Sequence, residues 1–244
     1  MTADTVARVN APTLYIFPHA GGSPTFYVPF AKTFTTDVKR VAVQYPGRGG
    51  THDLASFTSI SELADEVCRK LPPIADDSRR VAFFGHSMGG LVAFEVARRL
   101  EASGHGIGAL FVSAVAAPGR VGYDYIPDSD RGLLDAVSQM MGVNPEFLEN
   151  EEFAARILPT LRGLKAISKY ECPPEVTVSC PIYVFYADDD EVATLEKVGP
   201  WAQRTTADCV VREFAGHHFY LTDHLLELVK DIEGRISDCC RDVL

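Results

Sequence analysis

A serine framed by two glycines is the arrangement in this 244-residue chain best suited to chemistry: Gly85-His86-Ser87-Met88-Gly89. A serine hydroxyl is a weak nucleophile and needs a base held against it. The pattern G-x-S-x-G meets that need where a strand turns sharply into a helix, because a Cβ at either glycine would collide in so tight a turn. The flanks suit the pattern. Arg80 to Gly85 reads as a buried strand, and Met88 to Leu100 carries Leu91, Phe94, Val96 and Leu100 as the apolar positions of a helix. His86 adjoins the serine, but on such a turn its ring points away from the hydroxyl, so it reads as a packing residue.

A serine presented this way expects its acid and then its histidine further along the chain. His218 follows the last apolar run, in Phe214-Ala-Gly-His-His-Phe219, with His217 as its rival. Phe219 and Tyr220 can anchor the loop behind His218, which favours it as the base. His105 and His224 read as surface residues, and His19 and His52 precede the serine. The acid, which sets the imidazole tautomer, must leave a late strand. Ser113-Ala-Val-Ala-Ala-Pro118 contains no carboxylate, whereas Asp188-Asp189-Asp190-Glu191 follows the next strand; position alone leaves the three aspartates open. An oxyanion needs backbone N–H donors. Met88, directly after the serine, supplies one, and Ala20 in Pro18-His-Ala-Gly-Gly22 the other.

These residues need elements to carry them. Apolar runs at Thr13–Phe17, Val38–Tyr45, Arg80–Gly85, Gly108–Ala114, Pro181–Ala187 and Val210–Phe214 read as six strands. Helices are expected between them. One is opened by Pro24, with Phe26, Phe30 and Phe34 on its buried side. Another runs from Ser61 to Leu71, where Ser61 and Ala64 make no full capping box. Asp223 to Ile236 closes the chain, with Leu225, Leu226, Leu228, Val229, Ile232 and Ile236 as its buried stripe. The alternation predicts the α/β class, a mostly parallel sheet with helices on both faces, in a single domain over residues 1–244. The stretch from Ala116 to Cys180 is far longer than an ordinary crossover. Leu133–Met141 and Phe153–Ile167 inside it read as helices, which predicts a helical lid at about 116–180.

Composition narrows the function. With 46% apolar residues a large core is available, and a net charge of -10 disfavours nucleic acid as a partner. No stretch approaches the roughly 20 apolar residues of a membrane helix, and the first residues do not read as a secretory signal. The cysteines, Cys68, Cys172, Cys180, Cys209, Cys239 and Cys240, show no metal-ligand spacing. They are expected to be free thiols in a reducing, cytoplasmic compartment. Neither a metal nor another cofactor is expected.

Four motifs in order, FPHAGG from Phe17 to Gly22, QYPGRG from Gln44 to Gly49, FFGHSMGG from Phe83 to Gly90 and GHHFYL from Gly216 to Leu221, resemble the type II thioesterases of polyketide and nonribosomal peptide assembly lines. The chain also looks similar to the actinobacterial members tied to complex lipid synthesis. The resemblance covers nearly the whole chain. It implies the α/β-hydrolase fold and hydrolysis of an acyl thioester on the phosphopantetheine arm of an acyl or peptidyl carrier protein, in an editing role. It implies a triad of Ser87, Asp190 and His218, with Met88 and Ala20 as oxyanion donors. That family often has a polar or acidic residue before the histidine, where this chain has His217.

Carrier proteins are typically acidic, as is this chain, so docking would call for a local basic patch. In Thr160–Lys169, Leu161, Leu164 and Ile167 share one side at helical spacing, and Arg162, Lys165 and Lys169 the other. That basic face is a candidate docking surface for the carrier, its alternative an ordinary solvated helix face. The same constellation would also serve a lipase or carboxylesterase, and a catalytically silent scaffold of this fold is the reading from outside enzymes.

Overall fold

The structure, a computed structural model, describes residues 11–45, 59–72, 80–120, 129–141, 158 and 170–241. Its strands are β1 (Thr13–Phe17), β2 (Lys39–Ala42), β3 (Val81–His86), β4 (Ala109–Ser113), β5 (Ile182–Ala187) and β6 (Cys209–Phe214). They form one sheet in the order β2-β1-β3-β4-β5-β6, and every neighbouring pair is parallel. The helices are α1 (Val28–Thr33), α2 (Ile60–Lys70), α3 (Met88–Ala102), α4 (Asp130–Met141), α5 (Leu195–Val198) and α6 (Leu225–Arg241).

A parallel sheet needs cover on both faces, and alternate residues of each strand supply the two cores. Phe83, Leu110 and Val184 pack with α2 and α3 on one face. Phe84, Phe111 and Phe185, their immediate neighbours in sequence, pack with α1 and α6 on the other. In β1, β3, β4 and β5 the apolar runs are unbroken because neither face meets water. With all strands parallel, the loops leaving their carboxyl ends gather along one edge, and Ala20, Ser87, Asp190 and His218 follow β1, β3, β5 and β6 there.

Three local expectations are corrected. The helix opened by Pro24 divides into a 3₁₀ turn, Pro24–Tyr27, and then α1. The tighter winding rotates Phe26 off the stripe of Phe30 and Phe34. Phe26 is 36% exposed, whereas Phe30 and Phe34 are buried. Helix α2 starts at Ile60, capped by the Ser59 hydroxyl, which accepts the Glu62 N–H. The capping pair is therefore Ser59 and Glu62, two residues before the position read from the sequence. In α6, Leu226 is 79% exposed. Two residues before Leu228 places it across the helix from the stripe of Leu225, Leu228, Val229, Ile232 and Ile236.

The long stretch between β4 and β5 contains α4 as expected. The helix expected over Phe153–Ile167, Leu158 apart, and the basic face of Arg162, Lys165 and Lys169 lie outside the described residues. Both ends of the stretch are held by one buried guanidinium. Arg204 donates to the Pro118 carbonyl at 2.8 Å and to the Pro173 carbonyl at 2.6 Å. Trp201 Nε1 donates to the Val115 carbonyl at 2.9 Å, and the Ala117 N–H donates to the Lys197 carbonyl at 2.9 Å. Among the described residues no helix is long and apolar enough to cross a membrane.

Candidate active site

Ser87 sits between β3 and α3 at φ 53° and ψ -126°, a left-handed backbone that a side-chain-bearing residue adopts only when its surroundings impose it. The glycines explain how. A Cβ on Gly85 would lie 2.2 Å from the Gly89 carbonyl oxygen, and a Cβ on Gly89 would lie 2.0 Å from that of Phe17. The amino end of α3 is thus pressed onto both its own strand and the end of β1. The Ser87 N–H donates to the Ser113 carbonyl at 2.7 Å, which ties the turn to β4 as well. Met88 is the first residue of α3, where an N–H has no partner within the helix.

Ala20 follows β1, whose last residue, Phe17, is in register with Gly85 of β3. Tight packing fixes this loop beside the helix start. Tyr45 donates its hydroxyl to the Pro18 carbonyl at 2.9 Å. His19, buried, lies with Nδ1 2.8 Å from the Tyr27 hydroxyl, and the Gly22 N–H donates back to the His19 carbonyl at 2.9 Å. His19 was set aside in the sequence because it precedes the serine, and Tyr27 was not singled out. Nothing local distinguishes a loop-bracing histidine from a surface one.

The acidic run after β5 meets the histidines after β6, and each aspartate finds a different partner. Asp190 Oδ2 lies 2.8 Å from His218 Nδ1, with both side chains buried. Its other oxygen accepts the N–H groups of Val192 at 2.9 Å and Ala193 at 3.2 Å. Asp189 Oδ2 pairs instead with His217 Nδ1 at 2.9 Å, in the open. Asp188 accepts the Gly216 N–H at 2.8 Å. The elbow adjoins the histidine loop through His86, whose ring centroid is 5.4 Å from that of His218. Among the described residues Ser87 Oγ makes no hydrogen bond to His218; such contacts commonly tighten only when substrate is bound.

His86 is fully buried, as a packing residue should be, yet it is not an inert one. Its Nδ1 lies 2.9 Å from Ser113 Oγ, and its buried Nε2 has no partner in hydrogen-bond geometry among the described residues. Burial, and after it the charges of His218 and His19, hold this imidazole well below the ordinary histidine range, so it is neutral. Burial likewise pushes the Tyr220 hydroxyl up. His224, expected at the surface, is half-buried and its Nε2 lies 2.9 Å from the Ala215 carbonyl.

A buried imidazole–carboxylate pair beside a strained serine elbow suits acyl transfer through a serine ester. Comparison with known proteins agrees. Residues 12–236 match the thioesterase domain family. The chain is 53% identical to thioesterase TesA of Mycobacterium leprae (strain TN), over 95% of this chain and 89% of that one. Among solved structures it resembles the type II thioesterase BorB from the borrelidin biosynthetic cluster, with a TM-score of 0.79, 35% identity and 93% of each chain covered. It also resembles the RedJ thioesterase from the prodiginine biosynthetic pathway in Streptomyces coelicolor, with a TM-score of 0.78, 29% identity and 93% of this chain and 87% of that one covered. Since the family match runs from before β1 almost to the end of α6, taking in every strand of the sheet and the loops that carry the serine, the acids and the histidines, this chain belongs to the thioesterase family.

Proposed function

We propose that this thioesterase hydrolyses acyl groups held as thioesters on the phosphopantetheine arm of an acyl or peptidyl carrier protein, in an editing or releasing role. The observation that carries the catalytic part is the buried Asp190–His218 bond at the sheet edge that also holds the Ser87 elbow. The carrier part is supported by similar thioesterases named from the borrelidin biosynthetic cluster and the prodiginine biosynthetic pathway.

In this reading His218 Nε2 takes the Ser87 proton as Oγ attacks the thioester carbonyl. The Asp190 carboxylate accepts from Nδ1, fixing the tautomer and stabilising the imidazolium that forms. The N–H groups of Met88 and Ala20 hold the oxyanion. His218 then protonates the departing pantetheine sulfur, leaving an acyl ester on Ser87. A water molecule, deprotonated by the same imidazole, attacks that ester. Collapse returns the proton to Ser87 Oγ and releases the carboxylic acid.

The test is turnover on an acyl-pantetheine, on an acyl-loaded carrier protein and on an oxygen ester of equal chain length. The thioesters are expected to be preferred, and Ser87→Ala to lower kcat by about 10⁶-fold. A Ser87→Ala protein retaining half its activity would exclude the serine mechanism. Preference for the oxygen ester would point to an esterase instead.

A further inference from the structure

Ser113, at the end of β4, takes no part in the reaction as written, yet it touches both halves of the site. Its carbonyl accepts the Ser87 N–H at 2.7 Å. Its hydroxyl lies 2.9 Å from His86 Nδ1, on the residue before the nucleophile, and 2.7 Å from the Tyr220 hydroxyl, two residues after His218. Ser113, His86 and Tyr220 are all essentially inaccessible to solvent. One serine therefore joins the elbow to the histidine loop.

A hydroxyl has a single proton, so Ser113 donates to one neighbour and accepts from the other. The chain Tyr220–Ser113–His86 thus has one direction at a time; losing the Ser113 hydroxyl takes this partner from both His86 Nδ1 and the Tyr220 hydroxyl, and losing the Tyr220 hydroxyl leaves Ser113 with His86 alone. The histidine loop is gripped from both sides. Tyr220 stacks on Phe214 with ring centroids 4.9 Å apart, and its N–H donates to the His217 carbonyl at 2.9 Å. The His86 ring lies 5.3 Å from that of Phe219. Backbone strain gathers at the same place. The non-glycine residues with positive φ among those described are Ser87, next to His86, and Ala114, next to Ser113, at 53° and 51°. Strained backbone persists only where neighbouring contacts over-determine it. Three buried polar side chains are a costly way to fill a core that Ala, Phe and Leu could fill.

We propose that Ser113 is a positioning residue: through its carbonyl and its hydroxyl it holds the Ser87 elbow and the His218 loop in one register, so that His218 Nε2 meets Ser87 Oγ at reacting distance. The inference rests on the roles proposed above for Ser87 and His218.

Three variants test it: Ser113→Ala, Tyr220→Phe and the two combined. Tyr220→Phe removes one hydroxyl and keeps the ring on Phe214, so it decides the matter if Ser113→Ala does not fold. The measurements are kcat and KM on an acyl-pantetheine, the labelling rate of Ser87 by a fluorophosphonate, and Tm. Each single variant is expected to lose about tenfold to a hundredfold in kcat, the size of effect that a small misplacement of reacting groups produces, with KM nearly unchanged. Labelling should slow in parallel. The double variant should lose little more than either single one, because both break one link. Unchanged kcat and labelling in folded variants, whatever happens to Tm, would overturn the positioning role, as would a loss expressed only in KM. Failure of the underlying reading is distinguishable, since the unaltered protein would then not be labelled at Ser87 at all.

Discussion

Two aspartate–histidine pairs lie side by side in this molecule and differ in almost nothing but water. Asp190–His218 and Asp189–His217 are built from consecutive residues, and their contacts are 2.8 Å and 2.9 Å. The His218 and Asp190 side chains are 5% and 1% exposed, while those of His217 and Asp189 are 76% and 69% exposed. An exposed pair is screened by solvent, its side chains are free to turn, and its interaction is worth little. The buried pair can neither reorient nor exchange its bond for one to water. The spare Asp190 oxygen is already committed to the Val192 and Ala193 amides. A base needs an imidazole held in one tautomer at one angle, and enclosure provides that where proximity does not.

The contrast can be broken most decisively at the histidines. His218→Ala should lower kcat on an acyl-pantetheine by about 10⁶-fold, leaving the residual rate of an oxyanion site without its base. His217→Ala, at a solvated position, should stay within about twofold of the unaltered enzyme. A crippled His217→Ala enzyme beside a working His218→Ala one would reassign the base and leave the reaction class standing.

Next in size are the carboxylates. Asp190→Asn should cost about 10³- to 10⁴-fold in kcat, because an amide cannot hold the imidazole in the required tautomer. Asp189→Asn should change kcat by less than about twofold. Comparable losses at the two positions would mean that burial does not separate the pairs.

The smallest effect is a pH dependence of stability. His86 touches the buried pair and is kept neutral by burial first and then by His218 and His19. The unfolded chain binds a proton on this residue near pH 6.5, and the folded one resists it to lower pH. The unfolded state then holds more protons, so stability is fully present above about pH 6.5 and falls as the pH drops towards the folded value. The groups facing His86 are His218, His19, Phe219, Ser113 and Tyr220. Urea midpoints at pH 7 and pH 5.5 should therefore differ less in His86→Gln than in the unaltered protein, while His217→Gln should leave the difference as it was. Equal slopes in all three proteins would remove His86 from the account.

Much of the architecture was legible in the sequence because it is written in short-range patterns. Unbroken apolar runs separated by helix-period segments require a parallel sheet covered on both faces, whatever the order of its strands. The serine elbow is equally local, since the clashes that demand Gly85 and Gly89 arise within a few residues of the turn and at the strand beside it. Local reading failed where winding or phase shifted by a fraction of a turn, as at Phe26 and Leu226. The long-range pairings were a different matter. Asp188, Asp189 and Asp190 are chemically equal as letters, and so are His217 and His218. Which aspartate meets which histidine depends on β5 and β6 lying side by side and on Val192 and Ala193 turning back over Asp190. Ser113 was equally silent in the sequence, where its segment stood out only for lacking a carboxylate. Its partners, Ser87 and Tyr220, come from distant segments and reach it only once β3, β4 and the loop after β6 share one edge. Sequence patterns determine the elements because the forces that shape them act over a few residues. Burial and partner choice were decided only in the tertiary structure, because solvent exclusion belongs to the assembled fold and to no segment of it.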